Sequence, residues 1–121
     1  MSYQLQIKEE PDYLHIIATG ENSKKNISDY LEEVIRTCRD RGTGKVLIEE
    51  RLTGPRLGTL DVFEVASEGS RRLLGKLKMI AYIDVFAETD LIHFAETVSV
   101  NRGVPVRIFI NVQTAKKWLT E

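Results

Sequence analysis

The chain has 121 residues, enough for one domain and too few for two of ordinary size. Lys and Arg number 17 against 18 Asp and Glu, a formal net charge of -1, so no global field draws the chain to nucleic acid or to an anionic membrane surface. Hydrophobic residues make up 42% and charged residues 29%, the balance of a folded globule rather than a disordered tail. No apolar run approaches the roughly 20 residues that span a bilayer, and Met1-Ser2-Tyr3-Gln4-Leu5 lacks the basic and apolar segments of a signal peptide. The expectation is a cytoplasmic single domain over residues 1–121. Cys38 is the one cysteine, so no internal disulfide is open to it. With only His15 and His93 beside it, the sequence spells out no metal cluster and no cofactor motif.

Gln4 to Glu9 alternates polar and apolar residues, as a half-exposed strand does. Glu10-Pro11-Asp12 reads as a turn, and Tyr13 to Thr19, rich in aromatic and branched residues, as the second strand of an antiparallel hairpin. Ile27, Tyr30, Leu31, Val34, Ile35 and Cys38 then fall at spacings of three and four, one stripe of a helix. Asn26 is its predicted N-cap and Gly42 its left-handed stop. Cys38, on the buried stripe, reads as a core thiol rather than a reactive one. Lys45 to Glu49 is a third strand, followed by a loop over Arg51 to Gly58 and a second helix over Leu60 to Leu74. Lys78 to Val85 is nearly continuous apolar sequence, which predicts a central strand buried on both sides. Leu91, Phe94, Ala95 and Val98 mark a third helix, Val104 to Ile110 an edge strand, and Asn111 the cap of a last helix carrying Val112, Ala115, Trp118 and Leu119.

The fold class is therefore α/β in the order β-β-α-β-α-β-α-β-α: a five-stranded, mostly parallel sheet with an antiparallel first strand. Strand alternation predicts Leu14, Ile16, Val46, Ile48, Met79, Ala81, Ile83, Val106 and Ile108 on one face. Tyr13, His15, Ile17, Leu47, Ile80, Tyr82, Arg107 and Phe109 then fall on the other, which is too apolar to stay bare. Partial cover by helices is expected there, with a remaining patch for self-association as a homodimer.

This order of elements, the run Phe94-Ala95-Glu96-Thr97-Val98-Ser99-Val100-Asn101-Arg102-Gly103-Val104-Pro105-Val106-Arg107-Ile108-Phe109 and the closing Ala115-Lys116-Lys117-Trp118-Leu119 resemble the SpoIIAA-like proteins. These are small bacterial relatives of the STAS domains, in a superfamily that also holds the CRAL-TRIO lipid-binding proteins. The resemblance implies strands in sequential order with helices packed mainly as a second layer. In the anti-anti-sigma members, an Asp-Ser pair starts the helix after the third strand, and its serine is phosphorylated. Here that stretch is Arg56-Leu57-Gly58-Thr59-Leu60-Asp61, without the pair, so a phosphorylation switch is doubtful. Thr59 reads as a helix cap rather than a phosphoacceptor.

Arg51, Arg56, Gly58 and Thr59, in a loop with two arginines, two glycines and a helix start, form the candidate partner or ligand site. The strand ends carry Glu21, Glu49, Glu50, Arg51, Asp84 and Asn111, which read as solvated loop charges and caps rather than acid–base machinery. Arg71, Arg72, Lys76 and Lys78 suit the end of a helix dipole, and His93 pairs with Glu96 on a helix surface. Glu96 and Arg102 read as structural, bound to each other or to a neighbouring loop. No catalytic constellation is legible, so the expected function is a non-enzymatic STAS-like module that binds a protein partner or itself. The alternative is a lipid or small apolar ligand, which an apolar pocket of roughly 300 Å³ or more would favour.

Overall fold

The structure, a computed structural model, describes residues 2–86 and 89–121, without the side chain of Thr89. Met1 of the amino-terminal segment lies outside these residues. They form β1 (Tyr3–Glu9), β2 (Leu14–Glu21), α1 (Lys24–Asp40), β3 (Lys45–Thr53), α2 (Thr59–Leu73), β4 (Met79–Asp84), α3 (Thr89–Asn101), β5 (Val106–Ile108) and α4 (Val112–Thr120). This is the order read from the sequence. The strands lie side by side as β1-β2-β3-β4-β5, with β1 antiparallel to β2 and every later pair parallel.

That sequential order decides where the helices go. A right-handed crossover that always steps to the same side of the last strand passes over the same face of the sheet each time. α1, α2 and α3 accordingly share one face. There Leu14, Ile16, Val46, Ile48, Leu52 and Ile80 pack against Ile27, Tyr30, Leu31, Val34 and Cys38 of α1 and Leu73 of α2. Each fully buried aliphatic side chain among them contributes about 1.5–3 kcal/mol. Among the described residues only α4 reaches the second face, where Ala115, Leu119 and Trp118 cover Tyr13, Leu47, Ala81 and Ile83. Gln4, Gln6 and Lys8 of β1 are exposed while Tyr3, Leu5 and Ile7 pack toward the main core, so β1 extends the second face with polar side chains.

Several boundaries differ from the reading above. The N-cap of α1 is Ser23, whose Oγ accepts the N–H of Asn26 at 3.0 Å. Asn26 is buried inside the first turn, where its Nδ2 donates to the carbonyl of Glu21 at 2.8 Å. Both residue types cap well, and Ser23 wins because it has the extended backbone of a cap, φ -155° and ψ 155°. Gly42, at φ 66°, does stop the helix in the left-handed region. At α2 the N-cap is Gly58, which offers no side chain, and Thr59 is an exposed first helical residue rather than the cap. β3 runs on to Thr53, so Arg51 belongs to a strand and the loop shrinks to residues 54–58.

The strand phase of β4 is the larger correction. Ile80 and Tyr82 face the main core, while Met79, Ala81 and Ile83 face α4, the reverse of the alternation expected. A nearly continuous apolar run has no internal rhythm to set its phase, and a one-residue slip turns every side chain over. β3 is the central strand; β4 lies between it and the edge strand β5, with apolar residues buried on both of its faces.

Ser23→Ala removes a working cap and is expected to cost about 1 kcal/mol in urea unfolding. Thr59→Ala, with no cap bond to lose, is expected to stay within about 0.5 kcal/mol of the parent.

Candidate ligand cavity and buried carboxyl pair

On the helix-covered face, β3 presents Ile48, Glu50 and Leu52, and β4 presents Ile80, Tyr82 and Asp84. The strand register sets Ile48 beside Tyr82 and Glu50 beside Asp84, so two carboxyl groups are neighbours across a parallel pair, near its carboxyl end. Glu50 is 1% exposed. The hydroxyls of Tyr30, from α1, and Tyr82 both donate to its Oε1, and they lie 3.3 Å from each other. Burial first, and then the hydrogen bond and charge of Asp84, push the Glu50 carboxyl up to about 8, against the weaker opposing effect of the tyrosine donors. The two tyrosine hydroxyls are themselves held well above their ordinary value, by burial foremost and by the charge of Glu50.

Asp84 is satisfied differently. Its Oδ1 accepts the N–H of Phe86 at 3.1 Å and lies 3.7 Å from Nη1 of Arg56. Arg56 also donates Nη2 to the carbonyl of Leu52 at 2.6 Å, and its guanidinium lies 5.9 Å from the centre of the Phe86 ring. The Asp84 side chain is 10% exposed and that of Arg56 22%, so the polar cluster opens outward from Glu50 toward Arg56.

Beside this cluster, between the sheet and the α2–α3 pair, lies a cavity of about 140 Å³. Ile48, Ile80 and Val106 line it from the sheet, Val65, Ala66 and Leu73 from α2, and Leu91, Ile92 and Ala95 from α3. It exists because the two helices turn small residues inward: Ala66, Gly69 and Ser70 on α2, Ala95 and Ser99 on α3. Ser70 is 2% exposed, and its Oγ has no hydrogen-bond partner among the described residues. A second hollow, of about 310 Å³ between α1 and α2, is lined largely by Lys24, Lys25, Glu64, Glu68 and Arg72 and is a polar groove.

The far side of the sheet carries a separate buried cluster. His15 Nε2 and Glu49 Oε1 are 2.9 Å apart, and Arg51 holds the other oxygen of Glu49. Burial acts to raise the Glu49 carboxyl, but the hydrogen bonds and charges of His15 and Arg51 outweigh it and hold the group below its ordinary value. Glu49 and Glu50, adjacent in sequence, are thus both buried, on opposite faces and under opposite influences. Neither is the solvated loop charge expected of a strand end.

Of the four residues singled out in sequence, Arg56 alone lines the cavity. Arg51 points to the opposite face with Glu49, while Gly58 and Thr59 are exposed at the start of α2. The residues that build the cluster, Glu50, Tyr30 and Tyr82, and Ser70 in the cavity wall were not assigned to the site from the sequence. A signal for one of them existed: Glu50 stands in the same phase as Val46, Ile48 and Leu52, an acid within an apolar stripe. His93 lies 3.8 Å from Glu96, as a surface pair. Glu96 also accepts the N–H of Ile108 at 2.7 Å, which ties α3 to the edge strand. Arg102 does not meet Glu96; it donates to the carbonyl of Val98 at 3.2 Å and lies over Phe63. Arg72, from the basic cluster, joins α2 to α1 by donating to Ser28 Oγ at 2.8 Å. Burial pushes the Cys38 thiol up to about 11, so little nucleophilic thiolate exists at neutral pH. Among the described residues no three His, Cys, Asp or Glu side chains are grouped to hold a metal ion, and no helix is long and apolar enough to cross a membrane.

No family model matches the chain, and no curated protein matches it. Among solved structures it is similar to the NMR structure of the protein TM1081, with a TM-score of 0.58 and 12% identity over 95% of this chain and 87% of that one. At that identity the likeness shows the fold alone: an α/β domain with a mixed five-stranded sheet and four helices.

Because Glu50 titrates higher in the folded chain than its ordinary 4.5, its contribution to stability is complete below about pH 4.5 and is lost as pH rises toward about 8. Glu49 has the opposite dependence, contributing at neutral pH and losing that contribution in acid. Glu50→Gln keeps an acceptor for both tyrosines without the ionisation. Thermal melts are expected to place its midpoint roughly 5–10 °C above the parent at about pH 8.5 and close to the parent at about pH 5.

Proposed function

We propose that this chain is a non-enzymatic binding module of the SpoIIAA-like, STAS-like kind, and that the cavity beneath α2 and α3 takes a small, mostly apolar ligand. The family reading is supported by the order β-β-α-β-α-β-α-β-α and by the sequential sheet. The ligand reading rests on a single observation: an apolar hollow with a few polar groups, the acids Glu50 and Asp84 lying toward the carboxyl ends of β3 and β4. Its 140 Å³ is well short of the roughly 300 Å³ that a drug-sized ligand occupies, so a whole lipid is too large for the hollow as it stands. A volume near 150 Å³ holds a benzene-sized molecule. Binding rather than reaction is supported by the polar groups themselves. Ser70 has no hydrogen-bonded base to activate it, and the proton of Glu50 is held among two tyrosines and Asp84. A cytoplasmic location belongs to the same reading, supported by the lone, buried thiol of Cys38.

A second reading is favoured by exposed apolar side chains at the sheet's carboxyl end. Leu60 at the start of α2, Phe86 after β4 and Ile110 after β5 are exposed, Ile110 to 91%. These side chains suit contact with a protein partner or with a second copy of the chain. Phosphorylation of Thr59 is not needed in either reading.

Titration with toluene, followed by methyl NMR, is expected to give saturable shifts confined to Val65, Leu73, Ile80 and Ile92. Ala66→Leu fills the hollow and is expected to weaken that binding at least about tenfold while leaving the melting midpoint unchanged or higher. Shifts scattered over the surface, or none, would remove the ligand reading. For the second reading, sedimentation at high micromolar concentration is expected to show a dimer that Ile110→Glu converts to a monomer; a parent already monomeric there refutes self-association.

A further inference from the structure

We infer that the cavity selects a small aromatic or branched alkyl amine, seated with its ammonium head at the Glu50–Asp84 pair and its apolar body between α2, α3 and the sheet. The inference rests on the ligand reading above and adds the chemistry of the head group. Its first support is charge. Among the described residues, the carboxyl groups on the cavity wall are those of Glu50, Asp84 and Glu96, against one cation, Arg56. Arg56 is already engaged with Asp84 and with the carbonyls of Leu52 and Gly54, so it is committed to the protein itself. An anionic head would meet the charge of Asp84 and keep Glu50 from ionising; a cationic head is drawn to Asp84 and favours the ionised form of Glu50.

The second support is independent of the acids. Ser70 lies in the cavity wall, 2% exposed, with an Oγ that has no partner among the described residues. A buried hydroxyl left unpaired costs about 1–3 kcal/mol. A serine inside a helix has a ready solution in the carbonyl of the preceding turn, and this one does not take it. A ligand with a polar group within its reach satisfies it, as a purely apolar ligand does not. Size is the third support, since a cavity of about 140 Å³ suits a single ring or a short branched chain.

The groups that face Glu50 are Tyr30 from α1 and Tyr82 and Asp84 from β4; Arg56, on Asp84 from the loop before α2, and Ser70 and Glu96, from α2 and α3, line the same cavity. In the empty cavity near neutral pH, Glu50 carries a proton. An ammonium ion entering beside it displaces that proton to solvent, leaving Glu50 ionised and paired with the ligand. Amine binding therefore strengthens as pH rises toward 8. A neutral alcohol gains nothing from that ionisation, and a carboxylate is disfavoured by it.

Methyl NMR titrations with benzylamine, benzyl alcohol, benzoate and toluene at about pH 6 and pH 8 test this. Benzylamine is expected to bind at least about tenfold more tightly at the higher pH, and there more tightly than the other three. Glu50→Gln is expected to abolish the pH dependence, and Ser70→Ala to weaken benzylamine several-fold while preserving it. If Glu50→Gln does not fold, Ser70→Ala and the parent's own pH comparison carry the test. Toluene or benzyl alcohol binding as tightly as benzylamine at about pH 8, or a flat pH profile, overturns the amine inference and leaves the cavity reading standing. No cavity binding by any of the four overturns both.

Discussion

The hand of the crossovers organises this molecule. Because β2, β3, β4 and β5 are added in order to one side, each right-handed connection returns over the same face, and α1, α2 and α3 must share it. Three helices in one layer bury that side of the sheet and leave the other to α4, the last element, which reaches β3 and β4. β1 is amphipathic as a result: Leu5 and Ile7 belong to the covered side, and Gln4, Gln6 and Lys8 to the open one. The cavity depends on the same arrangement. It lies where α2 and α3, both held on one face by topology, turn small residues toward the sheet instead of large ones.

Within that frame Glu50 stands out energetically. A carboxyl buried beside another acid titrates near 8 and opposes folding in neutral and alkaline solution, where a glutamine would not. Selection for stability alone would not place it there, and buried acids of this kind are associated with binding or chemistry. The contrast with Glu49 is instructive. One residue earlier in the strand, Glu49 is matched by His15 and Arg51 and held below its usual range, and its environment accounts for it structurally. Two consecutive glutamates thus have opposite energetic roles because a strand turns alternate side chains to opposite faces.

Much of the fold was legible in the sequence, because it is written in rhythm. The spacing of Ile27, Leu31, Val34 and Cys38 specifies a helical stripe, and Asn111 caps α4 as expected, accepting the N–H of Thr114 at 2.9 Å. The phase of β4 was not legible, since Met79-Ile80-Ala81-Tyr82-Ile83 offers apolar residues at every position. Caps were ambiguous wherever several polar residues preceded a helix, as with Ser23 and Asn26. The site was harder still. Tyr30, Glu50, Tyr82 and Ser70 lie on four different segments, and the packing of α1 and α2 over the β3–β4 pair sets Tyr30 on Glu50 and Ser70 in the adjoining cavity wall. The glycine- and arginine-rich loop drew attention by composition, yet β3 sends Arg51 to one side while Arg56 sits on the other.

The sequential strand order also bears on how the chain is made. As it leaves the ribosome, β1 and β2 can close a hairpin at once, and each later strand finds its partner in the one finished just before. No strand has to be threaded between two that are already paired. The sheet can therefore grow vectorially from the amino terminus, each helix folding down as its strand docks. The unfinished edge shown to solvent at any moment is a single strand, which limits the opportunity for pairing with a neighbouring chain.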